Sequence, residues 1–227
     1  MASVVELYNL ALSAVGTRAL VSSPSEASRE AEICTLWYPT ARDSVLRAAP
    51  WPSARAAKRL ALQVERDVDK DWTLTDPEPG WRFAYSTPSD MIAPRYLSNF
   101  DRFAITINAE NAKTLVTNTE NAILIYTKRQ EQVQLWDVSL YTAVAYALGA
   151  HIALALHGKP DRAQLLQEQA NALIMQARLD AANSTQEQHQ TLPDWIAARQ
   201  YAGAAPPPRF IYEYGPLLAV TDGVGVS

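Results

Sequence analysis

Apolar side chains divide the chain into helix-period runs, a strand-period middle and a polar, proline-punctuated tail. Val138 to Leu156 contains no Asp, Glu, Lys or Arg. Leu140, Val144 and Leu148 line one face of the helix it predicts, Tyr141, Ala145 and Ile152 a neighbouring face, and Ala147, Ala150 and Leu154 much of the rest. A helix apolar on nearly every side has to be buried on nearly every side. His157-Gly158-Lys159-Pro160 ends it, since Gly suits a left-handed cap and Pro the first turn of a new helix. From Pro160 to Ala182 the stripe is narrower. Leu166, Ala170, Leu173 and Ala177 lie on one face, with Arg162, Gln164, Gln167, Glu168, Asn171 and Arg178 elsewhere. The pair reads as an antiparallel helical hairpin.

Upstream, Ser3 with Glu6 is a capping box that opens a helix to Gly16, its stripe being Val4, Tyr8, Ala11 and Val15. Ser23, Pro24 and Glu26 read as a second cap. The helix after it places Ala27, Ala31, Cys34, Tyr38, Ala41 and Val45 on one side, with Pro39 as an internal kink. Pro50-Trp51-Pro52 ends that helix. A third helix is expected from Ala54 to Arg66, capped by Ser53, with Ala57, Leu60, Ala61 and Val64 inward.

The period then changes. Asp67 to Pro88 is loop-rich, with Trp81, Phe83 and Tyr85 alternating as a short strand. Ser89 to Tyr96 reads as a turn or short helix. Three strands follow, marked by Phe103, Ile105 and Ile107, by Leu115 and Val116, and by Ile123 to Tyr126. Asn-rich tetrads at 108–111 and 118–121 supply the turns between them. Beyond Ala182 the pattern loosens. Asp194 to Gln200 fits a short helix, Pro206 to Pro208 a stiff rod, and Phe210, Tyr212 and Tyr214 an alternating aromatic arm. The predicted fold class is mainly α: a helical bundle with an inserted small antiparallel β-sheet and an extended C-terminal arm. Residues 1–182 make the domain, with helices at about 3–66 and 137–182 and the loop and β insertion at about 67–128, and residues 183–227 make the arm.

Composition narrows the partners. Nineteen uncharged residues would reach across a bilayer. Those of Val138–Leu156 are rich in Ala and include His151, Gly149, Ser139 and Thr142, a poor composition for insertion. Burial within one bundle or between neighbouring subunits is expected instead, with no membrane insertion. The start of the chain shows no basic stretch followed by an apolar run, so no secretory signal is expected. A single cysteine, Cys34, suits a reducing compartment. The net charge of −4 disfavours a dedicated nucleic-acid binder, while leaving room for DNA that slides past. Charge is also segregated. Residues 41–66 carry six basic and two acidic side chains, 6 − 2 = +4, and residues 67–90 two basic and six acidic, 2 − 6 = −4. Arg55, Lys58 and Arg59 against Asp67, Asp69 and Asp71 would suit a head-to-tail contact between subunits, or a pairing within one.

No catalytic constellation stands out, and no metal or cofactor is expected. His151 and His157 are six apart on a helix, on different faces, and His189 lies far along the chain. There is no phosphate-cradling glycine loop. Asp67 with Asp71, or Glu110 with Glu120, are the carboxylate pairs a glycosidase reading would use.

Four stretches taken together resemble the tail tubular protein A and head-to-tail adaptor family of tailed bacteriophages. They are Tyr8-Asn9-Leu10-Ala11-Leu12 with Val15-Gly16; Ala31, Cys34, Tyr38, Ala41-Arg42-Asp43, Leu46 and Trp51; Pro79-Gly80-Trp81, Phe83-Ala84-Tyr85, Pro88 and Asp90; and Ile125-Tyr126 followed by the Ala-rich helix to His157-Gly158. The likeness covers about Ser3 to Ala182. It departs in a lengthened stretch around Asp67 to Glu78, and beyond Leu192 it touches only Trp195-Ile196-Ala197-Ala198-Arg199. The resemblance implies a non-enzymatic virion protein, made in the bacterial cytoplasm and placed in the neck. Such a protein forms a homo-oligomeric ring, commonly of twelve subunits, under the portal protein. It meets the tail nozzle or tail tube protein on its other side and passes double-stranded DNA non-specifically through its lumen. Trp195, Arg199, Phe210, Tyr212 and Tyr214 are then the candidate contacts to the portal or a neighbouring subunit. The rival readings are a virion-associated peptidoglycan hydrolase and a cytoplasmic helical scaffold protein.

Overall fold

The computed structural model describes residues 3–67, 69–73, 76–158 and 160–187. Helix α1 (Val4–Val15) starts with the expected capping box: Ser3 Oγ accepts from the Glu6 amide, and the Glu6 carboxylate accepts from the Ser3 amide, both at 3.1 Å. Gly16 ends it at φ 90°, the left-handed region that glycine enters without steric cost. Helix α2 (Arg29–Ala48) begins later than the Ser23 cap predicts. Ser28 is its N-cap, and Glu26 turns back to take the Ser22 amide at 2.8 Å and hydroxyl at 2.7 Å. Pro39 stands inside α2, where it removes one main-chain donor.

Between α2 and the helical hairpin the described residues form seven strands: β1 (Arg55–Arg59), β2 (Leu62–Glu65), β3 (Phe83–Ser86), β4 (Met91–Leu97), β5 (Phe103–Ile107), β6 (Lys113–Thr117) and β7 (Ile123–Lys128). They form two antiparallel sheets, one in the order β1-β7-β4 and one in the order β2-β3-β6-β5. Among the described residues 46% are helical and 21% are in strands, so this is an α+β arrangement, and the expectation of a mainly α fold with a small sheet is overturned.

Two segments account for most of that correction. The expected third helix, Ala54 to Arg66, is a 3-10 turn (Pro52–Ala54) followed by β1 and β2. Of its four supposedly inward residues Leu60 is buried, Val64 is half-buried, and Ala57 and Ala61 are exposed. The helical spacing was satisfied by chance with small residues. Pairing of Ala56 with Tyr126 and of Lys58 with Leu124 in β7 overrides it. The second segment, Ser89 to Tyr96, is a turn feeding β4, which borders β7 on its other side. The asparagine turns form as expected. Asn111 (φ 59°) and Asn121 (φ 54°) occupy the left-handed region, and Asn108 Oδ1 accepts from the Glu110 and Ala112 amides at 3.1 and 2.8 Å.

The two sheets face each other over their own core. Phe83, Tyr85 and Leu115 from one sheet meet Leu97, Leu124 and Tyr126 from the other, with Leu60 where the chain passes from β1 to β2. The larger core is helical. Helix α3 (Val138–His157) packs against α1 and α2. Its Leu140, Val144, Ala145, Leu148 and Ile152 are buried with Leu7, Ala11 and Leu12 of α1 and Cys34, Ala41 and Leu46 of α2. Helix α4 (Pro160–Glu187) closes over them with Leu166, Ala170 and Ile174, as its sequence stripe predicts in part. Gly149 is a point of close approach between the helices. A Cβ there would meet Leu166 Cδ1 at 3.2 Å and the Ala11 carbonyl at 3.4 Å. The hairpin turns at Gly158, φ 58°, whose amide donates to the carbonyls of Ala153 and Leu154. Val138–Leu156 is long and apolar enough to cross a membrane, yet 56% of that window is already buried within the chain.

Helices and sheets are joined by guanidinium groups. Arg95 of β4 donates to the Leu46, Arg47 and Ala49 carbonyls, at 3.2, 3.2 and 2.6 Å, and to Thr127 Oγ1 at 2.8 Å. Arg178 of α4 donates to the Ala48 carbonyl at 2.7 Å. Arg129, just past β7, reaches Asp43 of α2 at 2.8 Å. The C-terminal carbonyls of a helix have no partner within it and carry its negative dipole end, so cations from elsewhere are favoured there.

Candidate assembly surfaces

The basic residues of the expected head-to-tail contact lie on β1, an edge strand of the three-stranded sheet. Arg55 donates to Tyr96 Oη at 2.8 Å and stands 5.9 Å from the centre of that ring, which is stacked on Phe100 at 5.0 Å. Lys58 and Arg59 are exposed and form no ion pair among the described residues. On the acidic side Asp67 is paired with Lys70 at 2.9 Å, which holds the Asp67 carboxyl below the usual range and raises the Lys70 ammonium. Asp69 and Asp71 are exposed in the same loop. Within the subunit the two segments are tied by Arg82 and Glu65, 2.8 Å apart, each from the minority charge of its segment. Among the described residues no ion pair joins the named basic residues to the named acidic ones, and one of the acids is paired locally. Trp195, Arg199, Phe210, Tyr212 and Tyr214 lie outside the described residues.

Sites for chemistry are sparse. Among the described residues no group of His, Cys, Asp and Glu is placed to hold a metal ion. Cys34 is fully buried, and burial pushes its thiol up to about 12, far from a nucleophilic thiolate. His151 is stacked on Trp37, centroids 4.6 Å apart at 5° between planes, and burial lowers its pKa. Of the carboxylate pairs, Asp67 is engaged with Lys70, while Glu110 and Glu120 stand in turns at opposite ends of β6. A five-residue strand is about 17 Å long, beyond the roughly 5–9.5 Å that separates working glycosidase carboxylates.

A cleft of about 1180 Å³ runs between the three-stranded sheet and the second half of α4, and Arg47, Arg55, Arg95, Arg178, Asp137 and Asp180 lie along it. Its cations are largely committed. Arg95 and Arg178 serve the end of α2 and Arg55 serves Tyr96. Burial first, then the neighbouring Arg178 and Arg47, lowers the pKa of Arg95.

The surfaces that stand out are apolar and were not singled out from the sequence. On α4, Leu165, Met175 and Leu179 are 41%, 54% and 61% exposed. They recur at helical spacing on a face other than the buried stripe, and that second stripe is the signal the sequence held. On the four-stranded sheet, edge strand β5 has no charged residue from Phe103 to Ala109, and Ile105 and Ile107 are 37% and 67% exposed. Natural edge strands are usually blunted by Lys, Pro or a bulge, and β5 has none of these. No protein-family model matches the chain, and no curated protein matches it significantly.

Proposed function

We propose that this protein is the subunit of a head-to-tail adaptor ring of a tailed bacteriophage, a structural, non-enzymatic part of the virion neck. It docks under the portal, extends the DNA channel and offers the tail its attachment platform. The observation that carries the reading is the paired set of uncovered apolar faces on α4 and β5, in a subunit whose uncharged α3 already forms a packed spine. Large apolar side chains left exposed at helical spacing on one face and along a sheet edge fit faces that meet other proteins. The order of parts supports the same reading: two helices, an inserted β region, then an Ala-rich hairpin. The aromatic arm after Leu192, with Trp195, Arg199, Phe210, Tyr212 and Tyr214, is the portal or neighbour contact in this proposal.

The test is a chain ended after Leu192, compared with the full chain for binding to portal-bearing heads and for helix content by circular dichroism. Loss of docking with the helical signal retained is the expected result. Normal docking by the shortened chain overturns the role of the arm. Clear lysis of a peptidoglycan gel by the full chain overturns the non-enzymatic reading.

A further inference from the structure

The register of the four-stranded sheet gathers residues that are scattered in sequence. Phe83, Thr117 and Phe103 are partners across β3, β6 and β5. The residues just outside them, Arg82, Asn118 and Arg102, therefore stand at one end of the sheet, with Trp81 and Asp101 one step further out. A depression of about 590 Å³ opens there, lined by Pro79, Gly80, Trp81, Asp101, Arg102 and Asn118. That is the size of a small-molecule site.

Its walls are held before any ligand arrives. Gly80 turns the chain at φ 97°, and the Trp81 amide donates to the Glu78 carbonyl at 3.1 Å. Asn118 Nδ2 donates to the Gly80 carbonyl at 3.3 Å, and Asn118 Oδ1 accepts from the Arg82 amide at 2.8 Å, so the tryptophan turn is tied to the end of β6. Asp101 Oδ2 accepts from Asn99 Nδ2 at 2.6 Å and from Thr119 Oγ1 at 2.5 Å, which fixes the carboxylate and leaves Oδ1 to accept from a ligand. Phe100, the residue before it, lies at φ 60°. A bulky side chain enters that region at a cost, and such strain gathers at functional sites. The Arg102 side chain is exposed and makes no ion pair among the described residues.

We propose that this depression binds the pyranose ring of a neutral carbohydrate, with Trp81 against the apolar face of the sugar and Asp101, Arg102 and Asn118 on its hydroxyl groups. The mix of groups selects the ligand. A phosphate or carboxylate would meet the Asp101 carboxylate, and a cation would meet the Arg102 guanidinium. One acid and one base in a small space suit a neutral ligand that both donates and accepts, as adjacent hydroxyls do. The polar groups come from the ends of β5 and β6 and the half-buried ring from the turn before β3, so hydrogen-bonding groups and an apolar wall are both on offer. A pyranose has that pairing, with hydroxyls around its rim and C–H bonds on its faces. The site does not depend on the adaptor reading, which portal docking tests separately.

The test titrates the full chain with the methyl glycosides of glucose, galactose, mannose and N-acetylglucosamine, and with maltose, cellobiose and chitobiose. Tryptophan fluorescence and saturation-transfer NMR on the sugar are the readouts, with adenosine and inorganic phosphate as further arms. Saturable binding of at least one sugar is expected. Arg102→Ala, at an exposed position, should weaken it roughly tenfold or more with an unchanged melting curve, the worth of a hydrogen bond to a charged group. Trp81→Ala should abolish it and Trp81→Phe should keep part of it. Lys58→Ala, on the other sheet, should leave it as it was. Absence of saturable binding by every sugar overturns the proposal, and so does sugar binding undiminished by both Arg102→Ala and Trp81→Ala. Adenosine or phosphate bound in place of the sugars, and lost in Arg102→Ala, overturns it too and makes this a base or anion site.

Discussion

Arg95 Nη2 donates to the carbonyl of Ala49 at 2.6 Å, and the same nitrogen lies 3.2 Å from the carbonyls of Leu46 and Arg47. A strand residue thus finishes a helix. The sheet lobe enters the chain directly after α2, and this guanidinium sets how that helix meets β4. The rigid guanidinium holds Thr127 Oγ1 through Nε and the helix-end carbonyls through Nη2 at the same time, which the single nitrogen of a lysine on a flexible stem does not.

Arg95→Lys should therefore cost nearly as much as Arg95→Ala. Each is expected to lower unfolding free energy by about 2–3 kcal/mol, as hydrogen bonds to a charged group are lost and carbonyls are left unpaired. Urea unfolding followed by tryptophan fluorescence checks this. A lysine variant as stable as the parent would mean that charge alone holds the joint.

Trp51 locks the other side of the same joint. It is 1% exposed, and its indole donates to the Val45 carbonyl at 2.9 Å. Trp51→Ala should cost about 3–5 kcal/mol, the usual range for emptying such a site. Trp51→Phe keeps most of the volume and should cost less, and the difference between the two separates packing from the hydrogen bond.

Gly149 reports on how tightly the hairpin closes. Gly149→Ala asks the Leu166 side-chain tip to give by a few tenths of an ångström, from 3.2 Å, and should change stability little. Gly149→Leu pushes into Ala11 and Val15 as well and should lower the thermal midpoint clearly. Calorimetry of the two variants side by side reads the contrast.

His151 gives the helical core a pH dependence of known sign. Burial depresses its folded pKa below the ordinary 6.5, so in acid the unfolded chain binds the proton more readily. Its contribution is fully present above pH 6.5 and is lost as the pH falls from there through the depressed folded value. His151→Phe, which preserves a ring against Trp37, should flatten that part of the curve. Thermal midpoints taken above and below pH 6.5 test it, and an unchanged slope in the variant would remove His151 as the cause.

Cys34 should ignore a thiol-reactive probe in the native chain and react once urea unfolds it, because burial both hides the thiol and raises it to about 12. Rapid labelling of the native protein would show that α2 opens locally.

Much of the local chemistry was readable where neighbours in sequence supply both partners, although the cap expected at Ser23 stands at Ser28 and the helix expected after Ser53 does not form. The Ser3 and Glu6 cap, the Gly16 and Gly158 ends and the asparagine turns depend on residues a few positions apart, and they stand where the pattern puts them. The uncharged run of α3 announced its own burial, since no solvated face was left to it. Other features needed a distant partner. Arg55 to Glu65 carries small and long side chains compatible with either period. It is strand because β7 and β3 lie alongside to take its hydrogen bonds, and no local signal encodes that proximity. The charge segments looked like two patches, yet Glu65 and Arg82 join them at 2.8 Å across seventeen residues of sequence. Leu62, Ile105 and Ile107 are left exposed on the two edge strands of the four-stranded sheet, which nothing in the local sequence announces. Sequence by itself determined which segments must avoid water and where several turns and the α1 cap fall, because those are short-range energies. Tertiary structure decided which segments became strands and which apolar faces stayed open, because strand pairing and coverage depend on groups brought together across the whole chain.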